Sequence, residues 1–573
     1  MIVSAIALFR KLNTDTPLNV SAWGGTTEEN GKRELCHVAY SGHAVKDGSV
    51  RIYAEFGKPN GSGKHPAVLL LPDAGKRLDR DLVRHFVDKG YAVLMPDYSG
   101  KMASDPDGSP RTVYPASLSY ANFDVAKGLD ELGGVNADET CWFEWLYVAL
   151  YSIKYLKSRD DISEIGVVGV RLGGELAWKV MLSPDVACGV PINAAGWRSN
   201  RNVAKFESNA EINLSPEKHA YIAGIESQSY APFVKCPVLM LCALHDHEFD
   251  ADRAYDTYAR IGQKDGNAIV YCNNSGSCID PFGLSDMDLF LERYLKGRQI
   301  FIPDSLNVTL SEDEDGTLIV EVEGDEEGLV SEVGVYYAES DFRTKSSYRE
   351  WQCVLKTDGR GEDVETDGNK IRCRITPYSG ASTVYVFAAA RYLNGFKITS
   401  RITAKKRRSI DINAVKNRML YGGGNLDGFN VADYEEYSVG KIFLEREALP
   451  KLVAGYGGIT GAYSVGGIKS YKISSPQHVP AENALLEFDA YFYADGDLAV
   501  TVETADVNRG QERYTCIVPI KGGGKWKRIV LKANDFKNEE HNIPLAAFSE
   551  GKALLFVSED EDMEYAITNI LWL

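Results

Sequence analysis

Histidine is missing from the long stretch between His247 and His478. Any histidine acting as a general base or metal ligand must come from outside that interval. The ten cysteines are Cys36, Cys141, Cys188, Cys236, Cys242, Cys272, Cys278, Cys353, Cys373 and Cys516. They include no Cys-x-x-Cys pair, which excludes zinc-ribbon and thioredoxin-type motifs. Positive charge is in deficit, with 63 Lys and Arg against 81 Asp and Glu and a net charge of −18. A chain of that balance is not expected to bind nucleic acid or an anionic membrane surface. No run of about 18 apolar residues occurs, so no transmembrane helix is expected. Residues 1–11 hold a short apolar run with no basic residue ahead of it and no small-residue cleavage site behind it. No signal peptide is expected there, which favours a cytoplasmic protein; a secreted one would already have lost its leader.

What is present changes character twice along 573 residues, enough for several domains. After an N-terminal extension, 1–44, residues 45–300 alternate short apolar runs with amphipathic stretches. Runs at 50–56, 67–71, 91–95, 165–170, 187–192, 238–241 and 268–271 read as strands; 82–89, 142–156 and 284–295 read as helices. That alternation predicts a doubly wound, mostly parallel sheet. Residues 301–408 lose the helical period and read as strands divided by Asp, Glu and Gly turns, a sandwich of immunoglobulin or fibronectin type. The basic run 405–408 reads as a solvated linker. Residues 420–573 again alternate as strands, at 485–493, 498–504, 514–520, 526–531, 553–557 and 565–571, and predict a jelly roll. The cysteines read as reduced core thiols. Cys353 and Cys373 are left open as a candidate pair across the first sandwich.

The most informative segment runs Gly169-Val170-Arg171-Leu172-Gly173-Gly174. An apolar strand enters it and a helical pattern leaves it, the context of a nucleophile elbow. The elbow residue, however, is Arg171. A guanidinium stays protonated and has no lone pair to offer.

Together with Asp47–Ala54 as a first hairpin, Pro72-Asp73-Ala74-Gly75 as an oxyanion loop and the Gly90–Gly100 stretch, this segment makes residues 45–300 resemble the α/β-hydrolase family. The pattern is nearest to dienelactone hydrolases and acetyl-xylan or cephalosporin-C acetyl esterases. The resemblance implies a triad in the order nucleophile, acid, histidine. Arg171 stands at the first position. Asp246 stands at the second, with Asp250 as the alternative. The third falls in 271–280, which holds no histidine. Losing either the serine or the histidine of a comparable triad costs about a million-fold in kcat. The implied reading is a catalytically degenerate hydrolase that binds a glycan or an anionic small molecule. The alternatives are an active esterase on acylated carbohydrates, using Ser275, Ser277 or Cys278 as an unconventional nucleophile, and a scaffold.

Candidate binding residues follow. Arg171, Leu172, Asp73, Ala74 and His245 would line the relic pocket. There Arg171 either holds an anion bidentately with the helix N–H groups or pairs with Asp246 or Asp73 and plugs the pocket. The acidic and histidine-rich run 245–252 reads as the acid loop and a helix start; no metal site is expected, since one needs three converging ligands. Gly522–Phe536 and Ala566–Trp572 look like penultimate and final jelly-roll strands, and through them residues 420–573 resemble carbohydrate-binding modules. Tyr491, Tyr493 and Trp526 are candidate sugar-stacking rings, and Asp489, Asp495 and Asp497 are candidates for a structural calcium.

Overall fold

Nine strands make the central sheet of the N-terminal domain: β1 (Ser21–Glu28), β2 (Arg33–Val45), β3 (Gly48–Pro59), β4 (His65–Leu71), β5 (Ala92–Pro96), β6 (Ile162–Val170), β7 (Cys188–Ile192), β8 (Leu239–His245) and β9 (Ala268–Ser275). Their order is β1-β2-β3-β5-β4-β6-β7-β8-β9. The chain from β5 through β9 in that order pairs parallel, and β1, β2 and β3 pair antiparallel. The computed structural model describes residues 3–573 apart from 201–202, 204, 207–213, 276–277, 325–329, 341–344, 357–363, 368–369, 427, 433–437, 507–509, 539, 559 and 561–562.

The helices are α1 (Ala5–Phe9), α2 (Arg80–Asp88), α3 (Cys141–Lys157), α4 (Leu172–Val180), α5 (Pro216–Gly224), α6 (Ala251–Tyr258) and α7 (Pro281–Lys296). Alternate residues of the central strands point to opposite faces. Leu69, Leu71 and Leu94 pack with α3, α4 and α6, whereas Val68, Leu70 and Val93 pack with α2 and α7. Helix α3 buries residues all round, Trp142 and Trp145 included, as a helix apolar on every side must. This is the doubly wound sheet expected from the alternation. Residues before 45, read from sequence as an extension, instead supply α1, β1 and β2. Strand β1 is exposed along nearly its whole length, so it shows no apolar alternation to read.

Two further domains follow, both of antiparallel sheets. The first pairs β10 (Asn307–Glu312), β11 (Leu318–Glu323), β15 (Lys370–Ile375) and β14 (Val364–Asp367) in one sheet. The second sheet holds β13 (Gln352–Lys356), β12 (Val330–Ser340), β16 (Thr383–Tyr392) and β17 (Lys397–Thr399), with β18 (Thr403–Lys406) also on β16. The basic run is therefore not a linker. Lys405 and Lys406 pair within β18, and Arg407 meets the buried carboxylate of Glu312 at 3.1 Å. The last domain stacks two six-stranded sheets centred on Tyr565–Trp572 and Gly551–Ser558. None of the ten cysteines is in a disulfide, so Cys353 and Cys373 are not joined. Among the described residues no helix is long and apolar enough to cross a membrane.

The first two domains share their apolar clusters. Trp351, Tyr385 and Phe387 join the α3 layer, and Val320, Val335 and Val386 join the α7 layer. The last domain has a cluster of its own between Leu420 and Trp572. Thr399 Oγ1 donates to Ile269 O at 2.9 Å and accepts from Tyr271 N at 3.2 Å. It thereby satisfies part of β9, the sheet's outer strand, whose free edge would otherwise invite pairing.

From the last domain a small hairpin, Ser438–Val439 with Phe443–Leu444, reaches back to α2. Ile279 N donates to Ile442 O at 2.7 Å, and Leu444 N donates to Ile279 O at 3.0 Å. Phe443, 1% exposed, sits 5.0 Å from the His85 ring and 6.0 Å from the Phe86 ring. At the hairpin tip Gly440 has φ +57°, and a Cβ there would fall 2.2 Å from Leu82 Cγ. Phe443→Ala is expected to cost about 3 kcal/mol, the low end for burying a cavity of that size. Thermal melting of the full chain checks it; an unchanged midpoint would mean the hairpin carries no stability.

Candidate functional site

Strand β6 delivers Arg171 to the carboxyl end of the sheet, where ligands of such folds sit. Arg171 has φ +52° and ψ −113°, a strained conformation for a residue with a side chain. The turn is tight enough that a Cβ on Gly173 would lie 2.2 Å from Leu71 O. The elbow backbone is thus intact, and only its side chain departs from a nucleophile's.

Three carboxylates surround the guanidinium. Nε lies 3.2 Å from Asp73 Oδ2, Nη1 3.1 Å from Asp246 Oδ2, and Nη2 2.7 Å from Glu248 Oε2. Phe249 packs its ring 5.1 Å from the guanidinium carbon. Asp73 Oδ1 also accepts from Ala74 N at 3.0 Å and from Leu172 N at 3.2 Å. In the elbow architecture those two N–H groups, one after the nucleophile and one from the loop after an early strand, are the oxyanion donors. Here a carboxylate of the protein itself takes both. Burial raises the Asp73 carboxyl, with Arg171 opposing. Burial likewise pushes Asp246 up to about 6, against Arg171 and the N–H groups of Glu248 and Phe249.

Arg171, Leu172, Asp73 and Ala74 are therefore brought together as the sequence suggested, but they satisfy one another. Three carboxylates around one cation leave the pocket negative, which disfavours the anionic ligand considered above. Asp246, not Asp250, stands beside the elbow. Asp250 caps α6, accepting from Asp252 N at 3.0 Å and from Ser346 Oγ at 3.0 Å.

His245 does not line this pocket. It is 1% exposed, stacks on Tyr471 at 4.0 Å and 6°, and bonds Ser347 O at 2.9 Å and the Asn273 amide at 3.0 Å. Burial pulls it down to about 4, so it is neutral. The loop expected to carry catalysis is instead gripped by the two later domains. His247 Nδ1 meets Ser347 Oγ at 2.9 Å, and Arg349 forks onto Asp252 at 2.5 and 2.8 Å. Sequence reasoning missed this clamp, because its partners lie about a hundred residues apart and carry no motif.

Of the alternative nucleophiles, Ser277 and the Ser275 side chain lie outside the described residues. Cys278 is fully buried with Val431, Leu444 and Ala448. Burial pushes its thiol well above the usual range, so the reactive thiolate is suppressed.

In the last domain Tyr491, Tyr493 and Trp526 do meet. Ring centroids are 4.9 Å apart for Tyr491 and Tyr493 and 5.6 Å for Tyr491 and Trp526. Tyr491 is buried and serves as backing; Tyr493 is 52% exposed. Tyr493 OH donates to Ala454 O, and Trp526 Nε1 donates to Tyr456 O, both at 3.1 Å. The acidic trio does not converge. Asp489 accepts from Arg528 Nε and Asn569 Nδ2, and Asp495 accepts from Gly522 N. Among the described residues no three potential metal ligands cluster.

A model of the dienelactone hydrolase family matches residues 52–273. No curated protein matches the chain. Similar solved structures include an acetyl xylan esterase from Paenibacillus sp. R4, 17% identical, covering 51% of this chain and 92% of that one at a TM-score of 0.37. Acetyl xylan esterase 1 from Thermoanaerobacterium sp. JW/SL YS485 is also 17% identical, with coverages of 50% and 90% and a TM-score of 0.37. A glucuronoyl esterase from Teredinibacter turnerae T7901 is 14% identical, with coverages of 43% and 66% and a TM-score of 0.31.

Proposed function

We propose that this chain, an esterase-like α/β-hydrolase over residues 52–273, no longer hydrolyses esters at its elbow and acts as a carbohydrate-associated binding protein. The observation that carries the first half is the occupied oxyanion position. An acyl carbonyl entering there must displace Asp73 from both Leu172 N and Ala74 N while Asp73 is also ion-paired to Arg171. The guanidinium supplies no nucleophile, and Asp246 holds Arg171 where it would otherwise orient a histidine.

The second half rests on Tyr456, Tyr493 and Trp526. Tyr456 and Tyr493 are more than half exposed, and the polar ends of Tyr493 and Trp526 are tied to backbone carbonyls. Rings fixed in this way offer flat, amphipathic surface at low entropic cost.

The test is turnover of short-chain aryl esters and acetylated xylo-oligosaccharides by the native protein beside Arg171→Ala. Both are expected to match buffer. Turnover by the native protein that is lost in the variant would sink the reading. For the rings, Tyr493→Ala with Trp526→Ala is expected to abolish retention on insoluble glycans; undiminished retention would remove the platform from the account.

A further inference from the structure

A second cavity lies elsewhere, where all three domains meet. It encloses about 750 Å³, within the range of about 300–1,000 Å³ typical of small-molecule sites. The hydrolase domain contributes Asn273, Asp280 and Phe282, the first sandwich contributes Glu350, Trp351 and Lys397, and the last domain contributes Met419, Tyr421 and Lys472. None of these belongs to the elbow. Phe282 and Met419 are 48% and 42% exposed, so the cavity reaches solvent at their side.

Its chemistry is of two kinds. Stacked and edge-on rings form one wall, with Tyr336 parallel to Phe387 at 4.9 Å and Trp351 edge-on to Phe387 at 4.9 Å. Aliphatic side chains and polar groups of both signs line the remainder. Asp280 and Glu350 oppose Lys397 and Lys472, so the charges cancel. Burial works against the Lys397 ammonium, but Asp280 beside it keeps its pKa above the usual lysine value. Lys397 Nζ has a long bond, 3.3 Å, to Tyr271 O.

Trp351 provides an independent pointer. It is 5% exposed, and among the described residues its Nε1–H has no acceptor. A buried donor left unmatched is costly; Trp351 lines the cavity, and a ligand oxygen reaching its N–H would satisfy it. An anion brought there would face Asp280 and Glu350, and a cation would face the two lysines. A neutral molecule with hydroxyls around its edge and C–H groups on its faces suits both the mixed polar groups and the rings.

We propose that the three-domain cavity is a ligand site for a short neutral oligosaccharide, with Trp351 Nε1 and Lys397 Nζ donating to its oxygens. This rests on the reading of the chain as a binding protein but needs neither the elbow nor the Tyr493 platform.

The experiment is titration calorimetry of the full chain with xylotetraose, cellotetraose and mannotetraose, and with trigalacturonate as an anionic counterpart. At least one neutral probe is expected to bind. Trp351→Phe, which keeps a ring and removes the N–H, is expected to weaken binding about fivefold, the loss of one hydrogen bond. Met419→Trp, at the exposed mouth, is expected to abolish the cavity's share of the binding with the melting point unchanged. In the double variant Tyr493→Ala, Trp526→Ala, which lacks the glycan platform and whatever heat it contributes, the share that Met419→Trp removes is expected to remain. Binding that survives Met419→Trp but is lost in that double variant overturns the cavity site while leaving the platform intact. Preference for trigalacturonate overturns the neutral class, and no heat with any probe overturns the site. The ester assay, which decides the elbow, is untouched by any of these outcomes.

Discussion

Arg349→Ala is expected to split the melting of the chain, so that the first sandwich and the hydrolase domain unfold in separate transitions. Arg349 and Asp252 are both almost fully buried, 2% and 1% exposed at their side chains, and bond through two parallel contacts. The guanidinium also lies 3.5 Å from the centre of the Tyr385 ring. Removing one partner of such a pair strands the other charge in apolar surroundings, at a cost of about 3–5 kcal/mol. Asp250 stands beside Asp252, and that carboxyl is already pushed up to about 6 by burial and by Asp252 itself. Differential scanning calorimetry reads the outcome. A single transition at the native temperature would show that the shared apolar clusters alone hold the domains together. Asp252→Asn in the same background should recover part of the loss, since it removes the unpaired charge rather than restoring the bond.

That clamp also marks where sequence reading stops. The sheet was legible because period-two and apolar runs report burial directly: the stretches at 67–71, 91–95 and 165–170 became β4, β5 and β6. The elbow was legible because its glycines are required by contact, as at Gly173 against Leu71 O. The pairing of Arg171 with Asp73 or Asp246 is legible because all three belong to one local architecture. What escaped is long-range. His245 reads as a pocket residue until Tyr471, more than two hundred residues on, is seen stacked on it. Strand β1 escaped because an edge strand facing water on both sides carries no apolar period. The three-domain cavity escaped because its walls come from segments that no motif links.

Arg171→Ala tests whether the elbow arginine is a structural plug, and its effect is expected to depend on pH. In the native protein Asp246 titrates near 6, above its ordinary 3.8. The folded state therefore binds more protons than the unfolded state between those values, and stability falls as pH rises through that window. Without the guanidinium, the attraction that lowers both Asp73 and Asp246 is gone, so the window extends to higher pH. At pH 5 Asp246 is largely protonated in both proteins, and the variant should lie close to native. At pH 8 native Asp246 is ionised and paired, whereas the variant must either bury an unpaired carboxylate or take up a proton. The expected loss there is about 3 kcal/mol, at the lower edge for a broken buried pair because Glu248 remains half-exposed. For a domain of this size that is roughly 6–12 °C in Tm. Melting curves at the two pH values, with Arg171→Ala, Asp246→Asn beside the single variant, make the comparison. The double variant should be less pH-sensitive than Arg171→Ala alone. Equal loss at both pH values would mean that Arg171 acts through packing on Phe249 rather than by holding the carboxylates.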